Sequence, residues 1–290
     1  MAQPQAGIAR SRPDRCPGVV HPWPADDGGL VRVRVPGGRV AVTALRALAE
    51  VAEEYGDGRV RVTGRANLQV RAMPLTADGL LDAAALAALE ATGLLPSRAH
   101  DRVRNVLVSP QTGLAGGRAD LRPVLAALDA LLLADDALAG LPGRFLFTLD
   151  DGRGDLADKH LDLGLVALDT TTAQLRIGEQ WGEVVPLADA PAALTALARE
   201  FLAVRGSGPD APWHVPELGR PLAAARPAAP AATVATGPLP LGPVAGGRHL
   251  AVPEDGLDLP TIAAWTAPTV IVTPWHGVLI PEPESPRKGA

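Results

Sequence analysis

Residues 30–35, "LVRVRV", alternate apolar and basic positions, the two-residue period of a half-buried strand. "PGG" at 36–38 is a turn signal. Over 42–56, "VTALRALAEVAEEYG" sets Leu45, Leu48, Val51 and Ala52 on one helical face. Thr43 is placed to cap that helix and Gly56 to end it. "RVRVTG" and "ANLQVRAM" then read as two strands, so the unit is β–α–β–β. The same order returns near the other end of the chain. "RHLAVP" (248–253) reads as a strand and "DLPTIAAWTA" (258–267) as a short helix with Pro260 in its first turn. "TVIVTP" and "GVLIP" are the closing strands.

The two units share more than order. "VRVTGRANLQV" (60–70) and "VIVTPWHGVLI" (270–280) align without a gap, Val60, Val62 and Thr63 matching Val270, Val272 and Thr273, and Val70 facing Ile280. Identity is weak, but the matching flanks mark a diverged duplication. A unit this small buries too little surface alone. The two copies are therefore expected to pair edge to edge and share one sheet, with helices on one face.

A different pattern lies between them. Helices are predicted over 80–95, 120–141 and 191–206, and strands over 102–110 and 144–152. "LGLVALD" and "QLRIG" read as a hairpin. From 207 to about 236 the chain is rich in Pro, Ala and Gly, a linker composition. The fold class expected is α+β, with the two half domains at 15–75 and 237–283, a larger α/β domain at 98–206 and the linker at 207–236.

Composition narrows the functions. The net charge of −5 argues against a nucleic-acid footprint. No run of about 18 apolar residues is present to span a membrane, and the N-terminus lacks the apolar core of a secretion signal. A cytoplasmic protein without nucleic-acid or membrane partners is expected. The single cysteine, Cys16, excludes an internal disulfide framework. The six histidines are scattered without metal-ligand spacing, so no metal site is expected, and His100 and His160 read as surface or structural. "DDGRGDLAD" (150–158) contains Gly152-x-Gly154, but no helix follows as a dinucleotide site requires, so it reads as a solvated turn.

Arginines outnumber lysines heavily, Lys159 and Lys288 being the only lysines. Arg65 falls in a break between strands, Arg104 opens a strand beside Asn105, and Arg144 precedes "FLF". Two readings stand. These are surface charges in an Arg-rich chain, or they form a guanidinium cluster for a ligand carrying several carboxylates, which Arg binds bidentately.

"RCPGVVHPWPADDGGLVRVRVPGG", "LRALAEVAEEYGDGRVRVTGRANLQVR", "RNVLVSP", "LPGRFLFTLDDG" and "VTPWHGVLIP", in this order and spacing, resemble the nitrite/sulfite reductase superfamily. Within it the similarity is greatest to the precorrin-3B synthase family of cobalamin biosynthesis. The resemblance spans about 15–206 and 237–283. It implies two ferredoxin-like half domains related by a pseudo-two-fold axis, and an oxidoreductase acting with a precorrin- or siroheme-like tetrapyrrole. It implies a tetrapyrrole-binding set of Arg65, Asn67, Arg104, Asn105 and Arg144, with no catalytic residue assigned. Arg144 stands where a Lys is usual, and Leu146 replaces another Lys.

The superfamily also carries a [4Fe–4S] cluster held by four cysteines of a further domain. One cysteine cannot hold it, so no cluster is expected from this chain alone. Three readings follow: a precorrin-3B synthase-like or nitrite/sulfite reductase-type oxidoreductase whose Fe–S domain or electron donor is a separate partner, an N-terminal portion of such an enzyme, or a non-redox tetrapyrrole-binding accessory protein. A scaffold without a ligand is the fourth and plainest.

Overall fold

The computed structural model describes Asp14, residues 16–208 and residues 210–283. The first unit contains β1 (Trp23–Ala25), β2 (Gly28–Val33), β3 (Arg39–Ala41), α1 (Val42–Tyr55), β4 (Arg61–Val62) and β5 (Leu68–Met73). Its sheet runs β1-β2-β5-β4, all antiparallel. Val31, Val33, Leu68 and Val70 turn inward to meet Leu45, Leu48, Ala49 and Ala52 of α1, all within one apolar core. α1 starts at Val42 without a side-chain cap, so Thr43 is not its N-cap. The first helical N–H is instead taken by the Pro268 carbonyl at 3.0 Å, from the second unit. Tertiary packing here replaces the local cap. The next helix, α2 (Ala83–Ala91), is shorter than its apolar stretch because the Asp82 carboxylate caps it at Ala84.

The middle block holds β6 (Val106–Val108), α3 (Arg122–Leu133), β7 (Phe147–Asp150), β8 (Leu163–Ala167), β9 (Thr172–Ile177), β10 (Gln180–Pro186) and α4 (Ala190–Arg205). Its sheet runs β10-β9-β8-β7-β6, parallel from β6 to β8 and antiparallel from β8 to β10. β6, β7 and β8 are apolar or buried at nearly every position, as strands covered on both faces must be. The helix expected over 120–141 stops at Leu133. Asp135 then caps a separate 3-10 turn at Asp136–Gly140, and its carbonyl meets the His100 ring. His100 is accordingly buried and structural.

The second unit contains β11 (Gly242–Val244), β12 (Gly247–Ala251), α5 (Leu259–Ala263), β13 (Thr269–Thr273) and β14 (Gly277–Pro281). Its strands lie in the order β11-β12-β14-β13, the order of β1-β2-β5-β4. The expectation of one shared sheet is corrected: each unit has its own. The reason is visible at their contact. β3 leaves the first unit and adds to β13, with Val40 opposite Val270. Reciprocally, Leu257, just before α5, bridges Val60 at 2.9 Å in both directions. Val60 and Val270 are the aligned residues of the repeat, so each unit lends its pre-helix backbone to the other. This exchange is the pseudo-two-fold pairing. The turn between the closing strands is also reproduced: Ala66 has φ 54° and His276 φ 55°, at aligned positions. Gly38 marks how tightly the units meet, since with φ at 67° a Cβ there would lie 2.0 Å from the Val272 carbonyl oxygen.

The Pro/Ala-rich stretch connecting the middle block to the second unit is pinned to the middle sheet on its way. Gln174 donates to the Pro227 carbonyl at 2.8 Å and accepts from the Ala229 N–H at 2.8 Å, and Thr236 N–H reaches the Gly154 carbonyl at 2.9 Å. No helix among the described residues is long and apolar enough to cross a membrane.

Candidate functional site

The turn between β4 and β5 projects from the first unit onto the middle block. Thr63 Oγ1 accepts the N–H groups of Arg65 and Asn67, and the left-handed Ala66 completes the bend. Asn67 is 1 % exposed; its Oδ1 accepts the Val35 N–H and its Nδ2 donates to Asn105 Oδ1 at 3.0 Å. Asn105 Nδ2 in turn donates to the carbonyls of Arg102 and Gly143. The two amides thus form a buried joint between half domain and middle block.

Beside this joint opens a cavity of about 620 Å³, within the range of small-molecule sites. Arg65 enters it from the half domain. Leu146, the 157–162 segment, Arg176 and Glu179 line it from the middle block, and His214 and Glu217 from the strap that follows α4. Arg65 Nη1 donates to the Arg144 carbonyl at 2.7 Å. Burial lowers the Arg65 pKa, with Arg144 and Arg32 adding to that effect, while Cys16 and Asp162 oppose it. Arg144 is exposed, its guanidinium carbon 5.5 Å from the Trp213 ring. Asp162 is 1 % exposed and accepts the N–H groups of Leu146 and Val215 at 2.8 Å each. The same carboxylate lies 3.1 Å from His214 Nδ1 and so fixes the strap to the sheet.

The structure therefore brings Arg65, Asn67, Asn105 and Arg144 together, but the guanidinium of Arg104 goes elsewhere. Its Nε and Nη2 each lie 2.7 Å from Asp129 of α3, a bidentate pair in which Arg104 is only 10 % exposed. Asn67 and Asn105 hold the walls rather than face the cavity. Lys159, His160, Arg176 and His214 line it and were not singled out by their sequence neighbourhoods. One signal was available for Lys159: it is one of only two lysines in the chain. The carboxylates nearby are partly committed, Asp162 and Glu217 to backbone N–H groups and Asp158 to Lys159 at 3.5 Å.

Cys16 lies behind this site. Its Sγ is approached by Arg32 Nη1 at 3.7 Å and Arg34 Nη2 at 3.6 Å. Arg34 is 3 % exposed, and burial lowers its pKa to about 10.

The 150–158 turn is not the solvated turn expected. Asp150, Asp151 and Asp155 are all buried. Asp150 Oδ1 accepts the N–H groups of Gly152 and Gly154, Asp151 pairs with Arg153 at 2.7 Å, and Ser109 Oγ donates to Asp155 at 2.7 Å. Short-range carboxylate–amide bonds let the turn fold inward. Burial pushes the Asp155 carboxyl up to about 7, the Ser109 hydroxyl opposing and Asp150 adding to the rise. Its ordinary value is 3.8, so the folded chain holds this proton where the unfolded chain has released it. The stability this group contributes is present below 3.8 and is lost as pH rises through about 7. Asp155→Asn is expected to shrink the fall in thermal midpoint between pH 5 and pH 8. An unchanged fall would place the titrating group elsewhere.

Residues 24–87 match the nitrite/sulfite reductase ferredoxin-like half domain. The resemblance to that superfamily is thus supported by sequence in the first unit, and the α+β half-domain architecture by the fold. Among characterised relatives, a precorrin-3B synthase from Sinorhizobium is 38% identical over 66 residues, covering 23% of this chain and 14% of that protein. The ferredoxin–nitrite reductase of Synechococcus elongatus is 33% identical over 131 residues, covering 43% of this chain and 25% of its own length. The structure of the Mycobacterium tuberculosis NirA protein superposes with a TM-score of 0.65 at 19% identity, over 90% of this chain and 57% of that one. The matched segments thus span a quarter or less of the curated relatives, and the last likeness concerns the fold.

Proposed function

We propose that this chain is the tetrapyrrole-binding part of a nitrite/sulfite reductase-type oxidoreductase, of the precorrin-3B synthase kind. The observation that carries the reading is the cavity at the half-domain joint, where Arg65 and Lys159 converge from segments far apart in sequence. Its donor set suits a flat ligand edged with carboxylates. Arg65, held in place through the Arg144 carbonyl, would bind one carboxylate, and Lys159 a second as a point charge. Lys159 Nζ already rests 5.9 Å from the Trp275 ring centroid, which places it near the second unit. The tetrapyrrole would supply the conjugated ring that is oxidised or reduced; the chain's residues bind and orient it.

The donor set does not suit an iron–sulfur cluster. Cys16 is the only thiol, and it is buried among guanidinium groups. A cluster would have to come from other polypeptide. That same observation favours the second reading, a non-redox tetrapyrrole carrier. Iron and acid-labile sulfide assays on anaerobically purified chain test the donor-set argument: neither is expected in stoichiometric amount, and a stoichiometric cluster would overturn it and argue for redox function in this chain.

Charge-assisted hydrogen bonds contribute about 1.5–3 kcal/mol each. Arg65→Ala is therefore expected to weaken sirohydrochlorin binding by roughly ten- to a hundredfold. Absorbance titration of folded wild type and variant measures it. Equal affinities would remove Arg65 from the site.

A further inference from the structure

Arg176 is the next-to-last residue of β9, between Gly164 of β8 and Trp181 of β10 in cross-strand register. Neither neighbour carries charge. Its guanidinium carbon stands 4.3 Å from the Trp181 ring centroid, within cation–π range. Its Nε is shielded from solvent and has no acceptor. Among the described residues the Arg176 side chain makes no ion pair and no hydrogen bond, whereas Arg104 and Arg153 each hold a carboxylate at 2.7 Å. Burial lowers its pKa, and Glu179 is the one charge that raises it. Yet Arg176 lines the same cavity as Arg65 and Lys159.

A partly desolvated guanidinium with no acceptor in hydrogen-bond reach is unfavourable. It becomes favourable when an anion arrives, since the fork then makes charge-assisted bonds in a water-poor setting. We infer that Arg176 is an anion-anchoring residue of the cavity, holding a carboxylate of the bound ligand from the sheet side as Arg65 does from the half-domain side. The contact with Trp181 restrains the side chain before binding, so less side-chain freedom is lost when an anion arrives. This deepens the tetrapyrrole reading, although the inference itself concerns polycarboxylates as a class.

Two probes keep the two claims apart: sirohydrochlorin, and benzenehexacarboxylate, a compact polyanion without pyrroles. Each is titrated by calorimetry into folded wild type, Arg176→Gln and Arg176→Lys, with circular dichroism reporting the fold. The expectation is that wild type binds both, that Arg176→Gln weakens both by roughly ten- to a hundredfold, and that Arg176→Lys, which keeps the charge but not the fork, falls between. If benzenehexacarboxylate binds and Arg176→Gln abolishes it while sirohydrochlorin does not bind, the arginine assignment stands and the tetrapyrrole reading falls. Equal affinities for wild type and both variants overturn the assignment and leave the tetrapyrrole reading in place. Failure of wild type to bind either probe overturns both. Should Arg176→Gln not fold, Arg176→Lys decides: affinity equal to wild type overturns the assignment.

Discussion

Arg104→Ala should lower the unfolding free energy by about 3 kcal/mol, the low end for breaking a buried ion pair. Two 2.7-Å bonds tie Arg104 to Asp129, and removing the guanidinium leaves the carboxylate on α3 without its partner. Asp129 is 23 % exposed and recovers some hydration, which keeps the loss from being larger. Asp129→Ala added to the variant should restore part of the loss, because it removes the stranded charge. Urea denaturation of the three proteins measures both effects. Unchanged stability together with weakened sirohydrochlorin binding would return Arg104 to the ligand, as the sequence resemblance implied.

A loss of about 3–5 kcal/mol is expected for Phe145→Ala, the usual range for emptying a buried aromatic site. The chain has three phenylalanines, and all meet in the middle block. Phe145 lies 5.3 Å from Phe147 edge to face and 4.8 Å from Phe201 of α4, centroid to centroid. The rest of that core is Val, Leu, Ala and Ile177, so no other aromatic ring besides Phe147 and Phe201 is there to fill the gap. The same loop carries the Arg144 carbonyl that holds Arg65. Thermal unfolding checks the stability, and a drop smaller than about 1 kcal/mol would show that the middle block repacks.

The fold was legible where local pattern and tertiary packing agree. Val31, Val33, Leu45 and Leu48 keep to their periods, and the element order of both units follows from them. The exchange between units was not legible. β3 is three residues long, and its partner lies more than 200 positions away, so no local pattern encodes Val40 meeting Val270. The site divides in the same way. Arg65 and Asn67 sit in a turn whose sequence is distinctive. Arg176 sits inside an ordinary strand, where only its cross-strand neighbours and its unbonded side chain set it apart. Arg104 shows the reverse case. Its motif suggested a ligand, and the arginine's partner proves to be a helix carboxylate 25 residues on. The turn at 150–158 read as solvated because no helix follows Gly152-x-Gly154, whereas its backbone N–H groups, bonded to Asp150, decide its burial.

The central claim is that the cavity at the half-domain joint receives an anionic tetrapyrrole. A crystal structure of the chain with sirohydrochlorin tests it most directly. The account predicts the macrocycle inside the cavity, with carboxylates on Arg65 and Arg176 and with Asn67 and Asn105 still bonded to each other. A macrocycle bound elsewhere on the chain, or those arginines left without carboxylates in a fully occupied complex, would contradict it.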